Sequence, residues 1–226
     1  MVLAAGSGSR LGADKPKALL TIGGYQMLQW SVAALQASPS IEGIVVALPP
    51  NTLAPEECSG VPGGAARSLS TRKALAVTDE EIVIVCDAAR PMLTPTLVEA
   101  VLAGLGDADA VVAATPLNDT VKEVADGRVV RTLDRTGLWA VQTPQAFRRE
   151  ALVRALDQPD EVLTAATDEA SLVEAMGGTV NVVQAPPENI KVTTAVDFRL
   201  VDVLLRERHE RGERAERERA AAEAAG

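Results

Sequence analysis

Short, almost wholly apolar runs alternate with longer amphipathic segments along this 226-residue chain. Three of these runs stand out, at residues 44–48 (IVVAL), 82–86 (IVIVC) and 110–114 (AVVAA). Near-continuous apolar runs of this length are typical of strands that are buried on both faces of a parallel sheet. We therefore predict that these three segments are strands of one sheet.

The segments between the runs carry apolar residues at helical spacing. Residues 27–36 and 94–105 each place leucine and valine side chains on one face, as amphipathic helices do. Thr94 followed by Pro95 predicts a helix N-cap and first turn. Alternating strands and helices imply right-handed crossovers. We expect a mostly parallel, Rossmann-like α/β sheet with helices on both faces, in one domain over residues 1–204.

Residues from about 115 to 138 follow a different pattern. Two valine-rich stretches, 121–124 and 129–133, flank a turn that contains Asp126 and Gly127. This arrangement predicts a β-hairpin. Because a two-stranded ribbon is marginally stable alone, we expect a projecting arm that packs on a second subunit. A hairpin that lies on its own domain is the alternative.

The tail, residues 205–226, consists mainly of arginine, glutamate and alanine. Its six arginines and six glutamates balance in charge, and their spacing favours a solvated helical or frayed extension. The single histidine, His209, falls in this tail. The preceding residues therefore lack the imidazole that a Ser-His-Asp triad or a histidine-ligated zinc site requires.

Composition excludes several function classes. A net charge of -9 and an aromatic content of 2% disfavour a nucleic-acid-binding protein, which needs a basic face or stacking platforms. The apolar runs fall short of the roughly 18 residues of a transmembrane helix, and the first residues lack a signal-peptide layout. We expect a cytoplasmic protein. Cys58 and Cys86 lack CxxC spacing, so we expect a loop thiol and a buried strand thiol.

The first residues combine glycines with cations. GSGSRLG, at residues 6–12, has glycine spacing GxGxxxG, which departs from both the dinucleotide fingerprint and the Walker loop. An NAD-dependent dehydrogenase is therefore disfavoured. Glycines allow backbone N–H groups to approach an anion closely. Arg10 and Lys17 are placed to meet charge on a transferring phosphoryl group. We predict a nucleoside triphosphate pocket; ordinary surface cations are the alternative.

A second motif, DAARP, begins at Asp87, directly after the run at residues 82–86. The loop at Gly6 and this segment both follow predicted strands. Ligands of open α/β sheets bind beyond the carboxyl ends of the strands. We therefore expect the two motifs to share one edge of the sheet.

Seven blocks of sequence carry a family resemblance. AAGSGSRLG, GGAARSLS, DAARP, NDTVK, DRTGLWAVQTPQAF, TDEA and NIKVT occur in this order, as they do in 2-C-methyl-D-erythritol 4-phosphate cytidylyltransferases. The resemblance covers about residues 2–204. It implies an α/β nucleotidyltransferase that is a homodimer with an interlocking arm. It also implies a reaction that joins CTP to methylerythritol phosphate with Mg²⁺, giving 4-diphosphocytidyl-2-C-methyl-D-erythritol and pyrophosphate for isoprenoid precursor synthesis.

The resemblance also implies roles for particular residues. Arg10 and Lys17 resemble the catalytic pair that stabilises the transition state, and Arg135 and Lys191 resemble the pair that positions methylerythritol phosphate. Asp87 is expected beside the ribose and the metal. The residues expected around the nucleotide are Ala4, Ala5, Gly6, Gly64 and Ser70. The residues expected in or beside the substrate pocket are Arg90, which is expected to order the DAARP turn, Thr120 and Thr143.

The chain departs from the family pattern in two places. Only Met1, Val2 and Leu3 precede the AAG segment at residues 4–6, which opens the glycine loop, so we expect a short first strand and weaker anchoring of the loop. Ala65 stands where some members have aspartate. Two functional alternatives remain open: a ribitol-phosphate cytidylyltransferase with the same donor, and a non-catalytic nucleotide-binding dimer.

Overall fold

The structure, a computed structural model, describes residues 1–6, 8 and 15–224. Within these residues the strands are β1 Val2–Leu3, β2 Thr21–Ile22, β3 Tyr25–Gln26, β4 Val45–Leu48, β5 Ser59–Pro62, β6 Ile82–Asp87, β7 Ala110–Pro116, β8 Lys122–Ala125, β9 Arg128–Thr132, β10 Trp139–Arg148 and β11 Val180–Gln184. The α-helices are α1 Met27–Gln36, α2 Arg67–Leu75, α3 Pro95–Gly104, α4 Arg149–Leu156, α5 Asp160–Ala165, α6 Glu169–Ala175 and α7 Ala195–Ala224. A short 3₁₀ helix covers Lys17–Leu19.

The central sheet has seven strands in the order β11-β7-β10-β6-β1-β4-β5. Neighbouring strands run parallel except at β10, which is antiparallel to both β6 and β7. The mostly parallel sheet is thus confirmed. Strands β4, β6 and β7 also confirm the three apolar runs, with boundaries shifted by at most two residues.

The core lies on both faces of this sheet. Successive residues of a strand point to opposite faces, and Ile84 and Val85 of β6 belong to different apolar clusters. Leucines and valines of α1 and α3 pack with Ile84, whereas α2, α4 and α6 pack with Val85. The predicted Thr94 N-cap is confirmed, since its hydroxyl accepts a hydrogen bond from the Leu97 amide at 3.2 Å.

Strands β8 and β9 form the predicted hairpin. Asp126 and Gly127 have φ values of 49° and 74°, as a type I′ turn requires. Every residue of both strands is exposed. Val124, Val129 and Val130 keep 57%, 60% and 58% of their surface accessible, so these side chains do not pack on their own domain.

Helix α7 joins the core at its start and continues into the charged tail. Val201 and Leu205 are buried beside Ile22 and Val192. Further along, the His209 ring lies 6.0 Å from the Tyr25 ring, centroid to centroid. Across the part of the chain that the structure describes, no helix has both the length and the apolar character needed to cross a bilayer.

Both cysteines are free thiols, as predicted. Cys58 is partly buried in a loop, and Cys86 is buried in β6. Burial raises the pKa of the Cys86 thiol to about 12. Because the thiolate is the reactive form of cysteine, this side chain acts as a small core residue.

Candidate active site

The loop after β1 and the turn after β6 lie side by side. The two strands are parallel neighbours in which Leu3 pairs with Asp87, and the Ala88 amide donates to the Leu3 carbonyl at 3.1 Å. The carboxyl ends of both strands therefore open onto the same edge of the sheet. For Gly6 and Gly8, the described residues of the glycine loop, this confirms the prediction that the loop and the DAARP segment share an edge.

A cavity of about 460 Å³ lies at this edge, within the size range of small-molecule sites. Most of the residues predicted for the nucleotide and the phosphates line it together: Ala4, Ala5, Gly6, Lys17, Gly64, Ser70, Asp87 and Lys191. These residues come from five separate stretches of sequence. The fold therefore assembles a pocket that is lined by small residues and by charged side chains.

Close approach at Gly64 shapes one wall of the cavity. A Cβ atom at this position would lie 2.6 Å from Cβ of Leu69, so only glycine fits without a shift of α2. The Gly64 amide donates to Oγ of Ser70 at 2.9 Å, and that hydroxyl donates to the Ala66 carbonyl at 3.1 Å. The wall is thus held by its own hydrogen bonds.

Lys17 is fixed from two sides. Gly8 has a φ of 71°, and a Cβ atom there would lie 2.7 Å from Cβ of Lys17, so glycine allows the loop to pack against the lysine. At the other end, Nζ of Lys17 donates to the Val192 carbonyl at 2.5 Å. The ammonium group is therefore held where the glycine loop meets the NIKVT segment.

Asp87 ends β6 on the cavity wall, and its carboxylate lies between two cations. Nζ of Lys191 lies 2.7 Å from Oδ2, and Nε of Arg67 lies 3.2 Å from Oδ1. The Asp87 amide donates to the Thr143 hydroxyl at 3.0 Å. Burial by itself would raise the pKa of Asp87, but the positive charges of Arg67, Lys191 and Arg90 outweigh it and lower the pKa to about 2.

This shift predicts a specific dependence of stability on pH. The pKa of Asp87 is about 2 in the folded chain against 3.8 unfolded, so its ionisation stabilises the fold above pH 3.8 and the contribution is lost as the pH falls through 2. Relative to pH 7, we expect the stability gap between wild type and Asp87→Asn to narrow by about 1 kcal/mol at pH 3 and about 2 kcal/mol at pH 2. Denaturant unfolding without metal at each pH measures this gap. A constant gap would contradict the assignment.

Arg90 and Thr143 do not line the cavity, but both are hydrogen-bonded to Asp87 on its wall. Both are buried. Nη1 of Arg90 donates to the Asn189 carbonyl at 2.6 Å, and the Asn189 side chain donates to the Thr143 carbonyl at 2.8 Å. The Arg90 amide also donates to the Asp87 carbonyl at 3.0 Å. These bonds join the DAARP turn, β10 and the NIKVT segment into one buried network.

Among the described residues, the two predicted for the acceptor side of the hairpin region also do not line the cavity of their own chain. Arg135 and Thr120 are exposed at either end of the hairpin region, and neither lines the pocket. Arg10 lies outside the described residues.

Sequence reasoning missed two charged residues. Arg67 lines the cavity and contacts Asp87, and its Nη1 forms an ion pair with the fully buried Glu169. Both residues fall within the quoted blocks, Arg67 in GGAARSLS and Glu169 in TDEA. Membership of those blocks was a usable signal. Nothing local pointed to their contact, because the two blocks lie far apart in the sequence.

The geometry also defines which chemistry is available. The described residues contain no group of three or more histidine, cysteine or acidic side chains able to hold a metal by themselves. The site instead places two lysines, an arginine and one ionised carboxylate around glycine-lined backbone. Such a site at the carboxyl edge of a mostly parallel sheet favours polyanion binding and transfer of phosphoryl groups. Fold and site together define an α/β nucleotidyltransferase.

Comparison with known proteins identifies the family. The family model for 2-C-methyl-D-erythritol 4-phosphate cytidylyltransferase matches residues 1–207. A protein of that name from Frankia casuarinae is 47% identical over 215 residues, covering 91% of this chain and 80% of its own length. One from Symbiobacterium thermophilum is 41% identical, with 92% of each chain covered. The crystal structure of the enzyme from Thermus thermophilus superposes with a TM-score of 0.78 at 30% identity, covering 91% of this chain and 97% of that one. This chain belongs to the 2-C-methyl-D-erythritol 4-phosphate cytidylyltransferase family.

Proposed function

We propose that this protein transfers the cytidylyl group of CTP to 2-C-methyl-D-erythritol 4-phosphate, releasing pyrophosphate. Family membership supports the substrates. The observation that carries the proposal is the convergence of Lys17, Lys191 and Asp87 on one glycine-lined cavity. Water-soluble, highly charged substrates support a cytoplasmic location for this step of isoprenoid precursor synthesis.

The chemistry requires charge control rather than a strong base. An oxygen of the acceptor phosphate forms a bond to the α-phosphorus of CTP, and the bond from that phosphorus to the bridging oxygen breaks as pyrophosphate leaves. The attacking phosphate is already ionised, so positioning and neutralisation of the two anions supply the rate. Lys17, beside the glycine loop, meets charge at the α-phosphate, and Lys191 holds the acceptor phosphate.

Asp87 fits a magnesium ion that enters with the nucleotide. Mg²⁺ in such sites binds one or two carboxylates together with substrate phosphates. Asp87 offers one carboxylate on the cavity wall, ionised because of its low pKa. When bound, Mg²⁺ would neutralise triphosphate charge and polarise the reacting phosphate.

The hairpin supports a dimer in which each chain completes the other's site. Val124, Val129 and Val130 are exposed on the ribbon, and Arg135 follows it without lining the pocket of its own chain. We infer that the arm packs on a second copy. Arg135 and Thr120 then reach the acceptor end of the neighbouring cavity, where an arginine can grip a phosphate through two hydrogen bonds.

Pyrophosphate release tests the proposed reaction. The protein is incubated with CTP and Mg²⁺ and with methylerythritol phosphate, ribitol phosphate or no acceptor. We expect release with methylerythritol phosphate and a background rate in the other two mixtures. A preference for ribitol phosphate would favour the related cytidylyltransferase. CTP binding without release in any mixture would favour a non-catalytic nucleotide-binding dimer.

A further inference from the structure

A carboxylate outside the cavity is linked to it through one arginine. Glu169, the first residue of α6, has a side chain that is fully buried. Its Oε1 accepts a hydrogen bond from the Thr71 hydroxyl at 2.8 Å, and its Oε2 forms an ion pair with Nη1 of Arg67. Arg67 in turn contacts Asp87 through Nε. Alternating charges thus run from Lys191 through Asp87 and Arg67 to Glu169.

The guanidinium group of Arg67 contacts two carboxylates at once. It gives Nε to Oδ1 of Asp87 at 3.2 Å and Nη1 to Glu169. An unrestrained arginine pairs best with one carboxylate through two parallel hydrogen bonds. The contact with Glu169 therefore keeps Arg67 from that tighter arrangement on Asp87.

Stability alone is a poor explanation for this buried pair. Removing two charges from water is costly, and apolar residues of similar volume often stabilise a fold as well or better. Thr71 and the start of α6 hold the Glu169 side chain in one orientation, which adds a cost in side-chain conformational entropy. The presence of Glu169 is better explained by its effect on how Arg67, which lines the cavity, contacts Asp87.

We propose that Glu169 is a positioning residue that restrains Arg67 to a single contact with Oδ1 of Asp87, so that one fewer arginine donor competes for the Asp87 carboxylate with the divalent cation that enters with the nucleotide. This inference rests on the proposed function. Without the charge of Glu169, Arg67 turns its full charge and two donors toward Asp87. Arginine and metal then compete for the same oxygens, and the metal-dependent part of nucleotide affinity falls.

The test measures CTP binding by calorimetry without acceptor, once with EDTA and once with excess Mg²⁺. The ratio of the two dissociation constants is the coupling between metal and nucleotide. Glu169→Gln keeps the size of the side chain and an oxygen for Thr71 but removes the charge. We expect the Mg²⁺-dependent gain in CTP affinity to fall by about fivefold or more, with the affinity in EDTA within about twofold of wild type.

Two further variants separate positioning from a structural role. Arg67→Gln combined with Glu169→Gln removes both charges of the pair, so we expect it to fold even where the single variant does not. With the competing arginine gone, its metal-dependent gain returns to within about twofold of wild type. Glu174→Gln, an exposed acid on the same helix, is the matched control and keeps the full gain.

Each result decides the inference. A full metal-dependent gain in Glu169→Gln would overturn it, and so would an equal loss in the single and double variants. If the single variant does not fold, a weakened gain in the double variant would overturn the inference as well. Wild-type protein that neither binds CTP nor releases pyrophosphate would instead count against the proposed function. Normal wild-type turnover with no effect of Glu169→Gln on the metal-dependent gain would contradict this inference and leave the proposed function standing.

Discussion

Lys17→Ala is expected to lower kcat about 100-fold, equivalent to about 3 kcal/mol of transition-state stabilisation. Negative charge grows on the oxygens around the α-phosphorus as the acceptor attacks, and the ammonium of Lys17 lies beside the loop that is expected to cradle this group. The Val192 carbonyl and the close approach of Gly8 already hold the side chain in place. The Lys17 side chain therefore needs little rearrangement as the negative charge develops. Steady-state measurements of kcat and of both KM values check this prediction.

Two matched variants define what the result means. Lys15→Ala removes an exposed lysine two residues away, and its kcat should stay within about twofold of wild type. Lys191→Ala should raise KM for methylerythritol phosphate more than it lowers kcat. Equal small effects of Lys17→Ala and Lys191→Ala would contradict the roles proposed for both lysines.

Mixing two inactive proteins, Lys17→Ala and Arg135→Ala, is expected to restore activity. If Arg135 of each chain serves the cavity of the other chain, a heterodimer of the two variants has both substitutions in one active site. Its other active site then contains neither substitution. After random subunit exchange about a quarter of all sites are intact. Activity should therefore rise from near background to about a quarter of the wild-type rate.

The control for this experiment mixes Lys17→Ala with Lys191→Ala. Both lysines line the cavity of their own chain, so a mixed dimer contains no intact site. With methylerythritol phosphate held well below the KM of Lys191→Ala, the activity of the mixture should not rise above the mean of the two separate variants. Different affinity tags on the two variants, retained together on one dimer, establish that exchange has occurred. Failure of the Arg135→Ala mixture to regain activity despite exchange would show that Arg135 acts within its own chain or not at all.

Local sequence predicted the regular elements because local physics governs them. The apolar spacing at residues 27–36 gives the bounds of α1, and Thr94 marks the start of α3. The Asp126-Gly127 turn gives the hairpin, since few residues accept the positive φ values that such a turn requires. Helix caps, turns and hydrophobic periodicity depend on residues that are close in the sequence, so a single sequence is enough to predict them.

Strand β10 was harder to predict for a physical reason. It contains Pro144, and proline argues against a central strand because it lacks an N–H donor. The structure places a register irregularity between Val141 and Gln145, where the ladder with β7 is interrupted. The proline is accommodated at this break, and its effect on the ladder depends on two partner strands that sequence alone does not identify.

The sequence by itself determined the family, the class of sheet and nearly half of the residues that line the cavity, because these reside in short motifs after strands. Only the tertiary structure decided which charged side chains form ion pairs and which of them line the cavity. It separated Arg135 from the cavity of its own chain and joined Glu169 to Asp87 through Arg67. Ion pairs form between atoms a few ångströms apart, and chain folding rather than sequence spacing sets those distances.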